Sequence, residues 1–448
     1  MKTKTSILLF SLLAVLGLTA SLQAGNWPNW RGPNHDGSTT AKNLPTKFSK
    51  TENVKWTINM PGPSAGTPII WDDKIFVSST GKKDNSLLAL CIDRKSGKTL
   101  WQDKAGSGYR PGGDGSTSSL DNKSNYASPS PVTDGNVVVF FYGNGDLVAY
   151  TLNGKRKWAS NLQKDYGDFT FQWTFSSSPT LYEGRLYMQI LQRDEPVHGR
   201  GKQGNESFLL AIDPANGKVI WKHNRPSKAN KESLESFATP IPFEGAGRKE
   251  LVIVGGDVLT GHDPVSGNEL WRWGTWNEGH KQQWWRLVPS PVIGGGVILA
   301  CGPKKAPVFA AKAGLKGTHS GKDGQVWNSG TGSPVTTDVP TPLFYKGKFY
   351  VLSDLRKAMS RVDPTTGKVE WTVEMPGRYK WRGSPTAADN KIYFMNHNGE
   401  VVVMDPESGK ILHKTSMGEQ YDDNTRSSIA IADNQLFIRT NEKLYCVQ

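Results

Sequence analysis

Residues 211–221 read AIDPANGKVIW, and this stretch contains the pattern that decides the fold. An apolar run ends at Asp213, Gly217 and Lys218 mark a turn, and a second run leads to Trp221. Glycine suits tight turns because it adopts backbone angles that other residues avoid. The stretch therefore predicts a β-hairpin whose second strand carries a tryptophan.

The same hairpin pattern recurs along almost the whole chain. Copies end at Trp101, Trp158, Trp221, Trp271, Trp327 and Trp371, and His413 takes the tryptophan position in a further copy. Before each copy stand a small residue, a proline and two short apolar strands around a turn, as in TPLFYKGKFYVL at 341–352. Together the two elements supply four antiparallel strands, and such self-similarity is typical of propeller blades.

The two ends of the chain predict how the ring closes. Residues 427–448 supply three strands of an eighth unit, and residues 52–60, ENVKWTINM, supply a fourth with Trp56 in the repeated position. Pairing the two ends removes an open sheet edge that would invite aggregation. We therefore predict an all-β, eight-bladed propeller of four-stranded antiparallel blades. It forms one domain over 53–448, after an N-terminal extension over 25–52.

The repeated tryptophans are predicted to hold neighbouring blades together. One aromatic side chain at a fixed position in each blade can bury a large area against the next sheet. We assign this structural docking role to Trp56, Trp101, Trp158, Trp221, Trp271, Trp327 and Trp371.

Composition excludes several protein classes. The 448 residues include 16 Trp and 10% aromatics, too much apolar surface for an intrinsically disordered chain. The formal net charge of +13 is spread without basic runs, which argues against nucleic acid and favours anionic partners. The three cysteines lie in apolar stretches and include no CxxC pair, so we expect buried free thiols.

The first residues have the pattern of a targeting signal. Lys2 and Lys4 precede an apolar run from Ile7 to Leu18, and Ala24 is a small residue suited to cleavage. We expect residues 1–24 to be a cleaved signal peptide and the mature protein to be periplasmic or secreted. The apolar run is shorter than the roughly 20 residues that cross a bilayer, so we expect no transmembrane anchor.

The repeated hairpins resemble those of the pyrroloquinoline-quinone (PQQ) repeat family, over roughly residues 50–448. The resemblance implies an eight-bladed propeller. The family includes quinoprotein alcohol and sugar dehydrogenases and also a non-enzymatic propeller of the outer-membrane barrel-assembly machinery, so the fold alone does not define a function. The segment WPNWRGPNHDG at 27–37 is similar to the opening of exported members whose activity is not settled.

The candidate binding residues lie just before the predicted innermost strands, where propeller loops converge on one mouth of the central channel. Aromatic faces can stack on a sugar or quinone ring, and arginine can grip a carboxylate or sulfate through two hydrogen bonds. The candidates are Tyr126, Trp173, Trp284, Trp285, Arg286, Trp381, Arg382 and Arg426. Packing beneath the loops is the alternative role for the same side chains.

A quinoprotein site would demand more. PQQ carries three carboxylates, and a calcium ion needs carboxylate and amide oxygens, which Asp422, Asp423 and Asn424 could provide. The chain lacks the adjacent cysteine pair of many alcohol dehydrogenases of this family, and no catalytic residue can be matched by position. We therefore expect no cofactor, with PQQ and calcium as the alternative.

The sequence thus predicts an exported, monomeric propeller that binds a protein or an anionic or sugar-like ligand at its channel mouth. A PQQ- and calcium-dependent dehydrogenase of alcohols or sugars is the first alternative. A scaffold for outer-membrane protein assembly is the second.

Overall fold

The computed structural model describes residues 25–84, 86–107, 125–274, 276–420 and 422–448. The predicted signal peptide lies outside the described residues. The described strands form eight antiparallel four-stranded sheets, one of which gains a parallel fifth strand. The predicted all-β, eight-bladed propeller is confirmed. No helix in these ranges is long and apolar enough to span a membrane.

The blades follow one another along the chain, and strand β1 spans Val54–Asn59. Blade 1 comprises β2 (Ile69–Trp71), β3 (Lys74–Thr80), β4 (Ser86–Asp93) and β5 (Thr99–Ser107). Blade 2 comprises β6 (Val132–Thr133), β7 (Val138–Phe141), β8 (Asp146–Tyr150) and β9 (Arg156–Asn161). Blade 3 comprises β10 (Thr180–Tyr182), β11 (Arg185–Ile190), β12 (Phe208–Ile212) and β13 (Val219–Asn224). Blade 4 comprises β14 (Ile241–Gly245), β15 (Arg248–Gly255), β16 (Val258–His262) and β17 (Glu269–Gly274).

The second half of the ring continues this order. Blade 5 comprises β18 (Val292–Gly294), β19 (Val297–Cys301), β20 (Val308–Lys312) and β22 (Gln325–Asn328), and β21 (Gly317–Ser320) joins blade 4. Blade 6 comprises β23 (Leu343–Tyr345), β24 (Lys348–Ser353), β25 (Ala358–Val362) and β26 (Val369–Glu374). Blade 7 comprises β27 (Thr386–Ala388), β28 (Lys391–Met395), β29 (Glu400–Met404) and β30 (Ile411–Ser416). Blade 8 comprises β31 (Ala430–Ala432), β32 (Gln435–Arg439), β33 (Lys443–Val447) and β1. The helical segments are α1 (Leu162–Tyr166) and two 3₁₀ turns, Lys231–Leu234 and Glu278–His280.

The core lies between the blades. Strand β12 is buried along its whole length, whereas the outer strand β13 alternates between half-buried and exposed positions. The difference arises because each sheet is covered on both faces near the axis and opens towards solvent at the rim. The three cysteines, Cys91, Cys301 and Cys446, are buried and free.

Blade 8 closes the ring as predicted. Strand β1 pairs antiparallel with β33, and Trp56 lies opposite Cys446. The last strand of the chain is therefore covered by the first strand, so its backbone groups are paired and not open to another chain.

The docking tryptophans lie on the turn glycines of the next blade. The Trp158 indole N–H donates to the carbonyl of Pro214 at 2.8 Å, and a Cβ built on Gly217 would lie 2.7 Å from its ring. The same pair of contacts, with an N–H bond of 2.7–3.3 Å, is made by Trp56, Trp101, Trp221, Trp327 and Trp371.

Trp271 departs from this arrangement. It packs in the core between blades 4 and 5, but its indole N–H donates to Glu250 Oε2 of its own blade at 2.9 Å. The reason is the irregular loop of blade 5, where β21 lies against β17 and no Asp-to-Gly-Lys turn reaches Trp271. Trp273 donates to the carbonyl of Gly321 at 3.1 Å instead.

A belt of hydroxyl groups joins the innermost strands. At seven of the eight positions where an innermost strand begins, a backbone N–H donates to the hydroxyl of the matching residue in the next blade, as from Ser130 to Ser178 at 3.0 Å. The other bonds, of 2.8–3.2 Å, run from Thr67 to Ser130, Ser178 to Thr239, Thr239 to Ser290, Ser290 to Thr341, Thr341 to Ser384 and Ser428 to Thr67. The belt therefore connects neighbouring blades where proline cannot donate a bond.

The extension over residues 25–52 crosses the channel at the end opposite this belt, where the Trp27 backbone pairs with Ile70 of β2 and the Asn26 side chain accepts the Asp72 N–H. From there Arg31 reaches back towards the belt. The carbonyl of Pro28 accepts a bond from Thr133 of blade 2 at 3.0 Å. The Arg31 guanidinium donates to the carbonyl of Pro342 at 2.9 Å and to that of Pro385 at 3.0 Å, which precede the innermost strands of blades 6 and 7. Because blades 2 and 6 face each other in an eight-membered ring, the segment between them covers this end of the channel.

Candidate ligand-binding site at the channel mouth

The open mouth is formed by the loops that lead into the innermost strands. Each innermost strand begins at the hydroxyl belt and runs towards the extension, so these loops meet at the other end of the channel. On blades 4 to 8 the loops cover residues 225–239, 276–290, 329–341, 375–384 and 422–428. The site is therefore built on turns that are fixed by the strands beneath them.

Two buried arginine–carboxylate pairs line the mouth. Arg286 donates to both oxygens of Asp338 at 2.9 and 3.0 Å. Arg382 Nε donates to Asp354 Oδ2 at 2.8 Å, and the Asp338 N–H donates to Asp354 Oδ1 at 3.1 Å. Burial favours the neutral acid, but the bonds and charge of Arg286 outweigh it and lower the pKa of Asp338. The pairs thus form one connected network across blades 5, 6 and 7.

A third buried carboxylate lies on the blade 3 side. Glu235 Oε1 accepts bonds from Arg193 Nε at 2.5 Å and from the Gln172 N–H at 2.9 Å. Its Oε2 is buried and has no hydrogen-bond partner in the described chain. Burial raises the pKa of Glu235 to about 8, although the charge of Arg193 opposes the shift.

Trp284 is an exposed aromatic side chain of the mouth, with 52% of its surface open to solvent. Arg193 lies 5.9 Å and Lys231 lies 5.7 Å from its ring centroid. These distances fit cation–π contacts, which hold a flat ring beside positive charge. Exposed cations continue around the rim at Lys231, Lys281, Lys304, Lys305, Arg356 and Lys380.

Several predicted residues lie beside this group. Trp173 is half-buried and donates to Glu232 Oε1 at 3.3 Å, and Trp285 is half-buried against the blade 4 core. Arg426 is half-buried in the loop that enters blade 8. The structure thus brings these residues, Trp284, Arg286 and Arg382 to one end of the channel.

Two of the residues predicted to contact a ligand need correction, because their aromatic rings are buried. Trp381 is 0% exposed, its ring centroid lies 5.3 Å from that of Phe394, and its N–H donates to the carbonyl of Pro376 at 3.1 Å. Tyr126 is 2% exposed and packs in the core of blades 1 and 2. Both loops turn the ring down between two blades, so neither ring faces a ligand at the mouth.

The suggested metal ligands have structural contacts. Asp422 Oδ1 accepts the Glu442 N–H at 3.0 Å, and Oδ2 accepts the Glu419 N–H at 2.7 Å. Asp423 is exposed, and Asn424 has a left-handed backbone with φ of 57°. Within the described ranges, no three acidic, histidine or cysteine groups are placed to hold a metal.

The mouth does not fit PQQ as arranged here. Arg286 donates both of its terminal nitrogens to Asp338, so it has no pair of donors left for a carboxylate of the cofactor. The buried ring of Trp381 offers no face to a planar quinone. We therefore derive no redox step for this site.

Two of the carboxylates, Asp338 and Asp354, are the part of the site that sequence reasoning missed. They are 4% and 1% exposed. The signal in the chain is that Asp354 directly follows the buried strand β24, in the turn at the mouth end of that strand.

Comparisons with known proteins agree with this architecture. A curated relative, the polyvinylalcohol dehydrogenase of a Pseudomonas species, is 26% identical over 175 residues, which are 38% of this chain and only 24% of that enzyme. BamB from Moraxella catarrhalis aligns with a TM-score of 0.57 at 12% identity, over 88% of this chain and 99% of that one. A europium-containing methanol dehydrogenase aligns with a TM-score of 0.66 at 9% identity, over 92% and 89%. At these low sequence identities, the two structural alignments show that the fold is shared.

A family model matches much more of the sequence. It is described as outer membrane protein assembly factor BamB, and it covers residues 38–188 and 255–448. These ranges include six of the repeated hairpins and all four strands of blade 8, and leave out the hairpin of blade 3. The chain therefore belongs to this family of PQQ-repeat β-propellers.

Proposed function

We propose that the protein is a binding protein whose channel mouth takes an acidic polysaccharide. The observation that carries the proposal is Trp284, an exposed ring with Arg193 and Lys231 close to it on a rim of exposed lysines. An indole face can stack on a sugar ring, and the surrounding cations attract its carboxylate or sulfate groups.

Three further features support a binding role. The buried pairs Arg286–Asp338 and Arg382–Asp354 fix the loops, so the exposed groups are held in place before a ligand arrives. The extension lies across the opposite end of the channel, so we expect a ligand to enter at the mouth. The expected signal peptide would place the protein outside the cytoplasm, where acidic polysaccharides occur; we propose this location as well.

Binding of heparin, polygalacturonate and neutral dextran tests the proposal. We expect the two anionic polymers to bind with an affinity that falls as salt is raised, and dextran not to bind. Trp284→Ala should weaken binding roughly tenfold, equivalent to about 1.4 kcal/mol. The double variant Lys304→Glu/Lys305→Glu should weaken it at least as much.

The matched control carries the same charge change at the other end of the propeller. Lys218 and Lys368 are exposed in the outer turns of blades 3 and 6, and their replacement by Glu should leave affinity nearly unchanged. Equal losses in both double variants would show a diffuse charge effect and overturn the site. A quinone absorbance on titration with PQQ and Ca²⁺, with dye reduction by an alcohol or aldose, would favour the dehydrogenase alternative instead.

A further inference from the structure

Three loops bring a compact basic group together on the blade 7 side of the mouth. The His397 N–H donates to the carbonyl of Lys380 at 3.0 Å, and the Thr425 N–H donates to the carbonyl of His397 at 2.9 Å. His397 lies between β28 and β29, whereas Lys380 and Thr425 lie in the loops that enter blades 7 and 8. In those two loops, Arg382 lies two residues after Lys380, and Arg426 directly follows Thr425.

Positive charge dominates the surroundings of His397. Burial, followed by the charges of Arg426, Arg382 and Lys380, lowers the pKa of His397 to about 3. The imidazole is therefore neutral at physiological pH and can donate one N–H. Asp354 bonds only Nε of Arg382, and the two terminal nitrogens of that guanidinium make no hydrogen bond within the described ranges.

Two polar atoms in this group have no partner. His397 Nε2 is buried, and so is the hydroxyl of Thr425, a residue only 1% exposed. Neither atom makes a hydrogen bond to the part of the chain that the structure describes. Buried polar atoms are almost always bonded, so these two donors beside a basic cluster are suited to an anionic group.

We infer that His397, Thr425 and Arg382, with Arg426 beside them, form a subsite for one oxyanion group, a carboxylate or a sulfate. The neutral imidazole and the hydroxyl donate one bond each, and the terminal nitrogens of Arg382 supply a fork of two donors. The inference rests on the proposed function, because it assigns the acidic group of the polysaccharide to this side of the mouth and the sugar ring to Trp284.

The first test uses Thr425→Val, which keeps the shape of the side chain and removes the hydroxyl. We expect affinity for heparin or polygalacturonate to fall five- to tenfold, while the melting temperature stays equal or rises because an unpaired buried hydroxyl is lost. Whichever polymer loses more affinity identifies the preferred anion. His397→Ala should weaken binding to a similar extent.

Arg378→Gln is the matched control, because Arg378 is an exposed cation in the same loop as Arg382 and its guanidinium bonds the hydroxyl of Tyr379. We expect it to change affinity less than twofold. If Thr425→Val and His397→Ala bind both polymers as tightly as the unmodified protein, the subsite is wrong and the proposed function remains.

The second test needs no polymer. Inorganic sulfate is titrated into the protein while the imidazole resonances are followed by NMR. We expect a saturable shift of the His397 signal, and its loss in Arg382→Lys, which keeps the charge but not the fork. A saturable shift without binding of either polymer would keep the subsite and overturn the proposed function. No saturable shift would overturn the subsite.

Discussion

At the scale of single residues, the turn glycines have two constraints at once. Gly217 has a φ of 78°, a conformation that costs other residues energy, and its missing Cβ leaves room for the ring of Trp158. Gly184, in an inner turn of the same blade, has a φ of 71°, but a methyl group added to it would have no atom within 4 Å. A comparison of the two glycines therefore separates the energetic cost of backbone strain from the cost of displacing the docked indole.

We expect Gly184→Ala to lower the free energy of unfolding by about 1–2 kcal/mol from strain alone. Gly217→Ala should cost roughly 1–3 kcal/mol more, because the added methyl must displace the indole. Denaturant unfolding of both variants measures the difference. Equal costs would mean that the indole moves away freely and that the contact does not dock the blades.

Glu235 predicts a pH dependence with a defined sign. Burial raises its pKa from 4.5 to about 8, so between these values the folded state holds a proton that the unfolded state releases. Stability from this group is therefore full below about pH 4.5 and is lost as pH rises to 8. Relative to Glu235→Gln, the unmodified protein should lose stability across this window in denaturant unfolding at several pH values. A constant difference between the two would contradict the raised pKa.

For the candidate binding residues, the sequence predicts which loop carries each side chain but not what that side chain contacts. The cations Arg286 and Arg382 could be placed at the mouth because the repeat fixes where each loop begins. Their partners could not, since Asp338 is 52 residues from Arg286 in another blade. The prediction for Trp381 was wrong because a loop sequence does not encode which way a side chain turns, and here the inter-blade core offered it more burial than the mouth.

At the scale of elements, the serine and threonine residues of the hydroxyl belt connect one blade to the next. Proline donates no backbone bond, so each innermost strand relies on the preceding residue to reach the next blade. Ser178 accepts the N–H of Ser130 and is 7% exposed, so this bond is shielded from water.

Ser178→Ala should therefore cost about 1–3 kcal/mol of stability, because it leaves the buried N–H of Ser130 without an acceptor. Ser178→Thr is the control, since threonine holds this position in other blades, and it should be nearly neutral. Hydrogen exchange should be faster at the Ser130 amide in the alanine variant only. Unchanged exchange would show that water replaces the hydroxyl and that the belt adds little.

Most strands could be predicted because each hairpin carries its own turn signal. Blade 5 is the exception. Residues 313–324 lack the repeated turn, and β21 from this loop pairs with β17 of blade 4. Local sequence indicates that a segment is extended, but the partner of a strand is decided by which open edge lies nearby. The same loop explains why Trp273, and not Trp271, donates its indole N–H to a backbone carbonyl of the following loop.

At the scale of the whole molecule, the N-terminal region secures the ring in two separate ways. Strand β1 completes blade 8, and the extension joins blades 2, 6 and 7 across the channel. Arg31 is fully buried, and burial lowers its pKa to about 10, so it stays charged and needs its carbonyl partners.

Two deletions distinguish these contributions. Removal of residues 25–61 takes away β1 and exposes the edge of β33, so we expect aggregation in size-exclusion chromatography and loss of cooperative thermal unfolding. Removal of residues 25–52 keeps β1, and we expect a soluble monomer with a lower melting temperature. A monomer with unchanged unfolding after the longer deletion would contradict closure by β1.

The extension also has a consequence for the order in which the protein is made. Arg31 leaves the ribosome 311 residues before Pro342 and 354 residues before Pro385, its two partners in the ring. Blades can form one by one during translation, but the extension must wait until blades 6 and 7 have been synthesised. Such long-range contacts slow folding, and until they form the undocked extension is exposed to association with other chains. If the protein is exported, as we propose, a chain whose extension has not yet docked is still open enough to pass through an export pore.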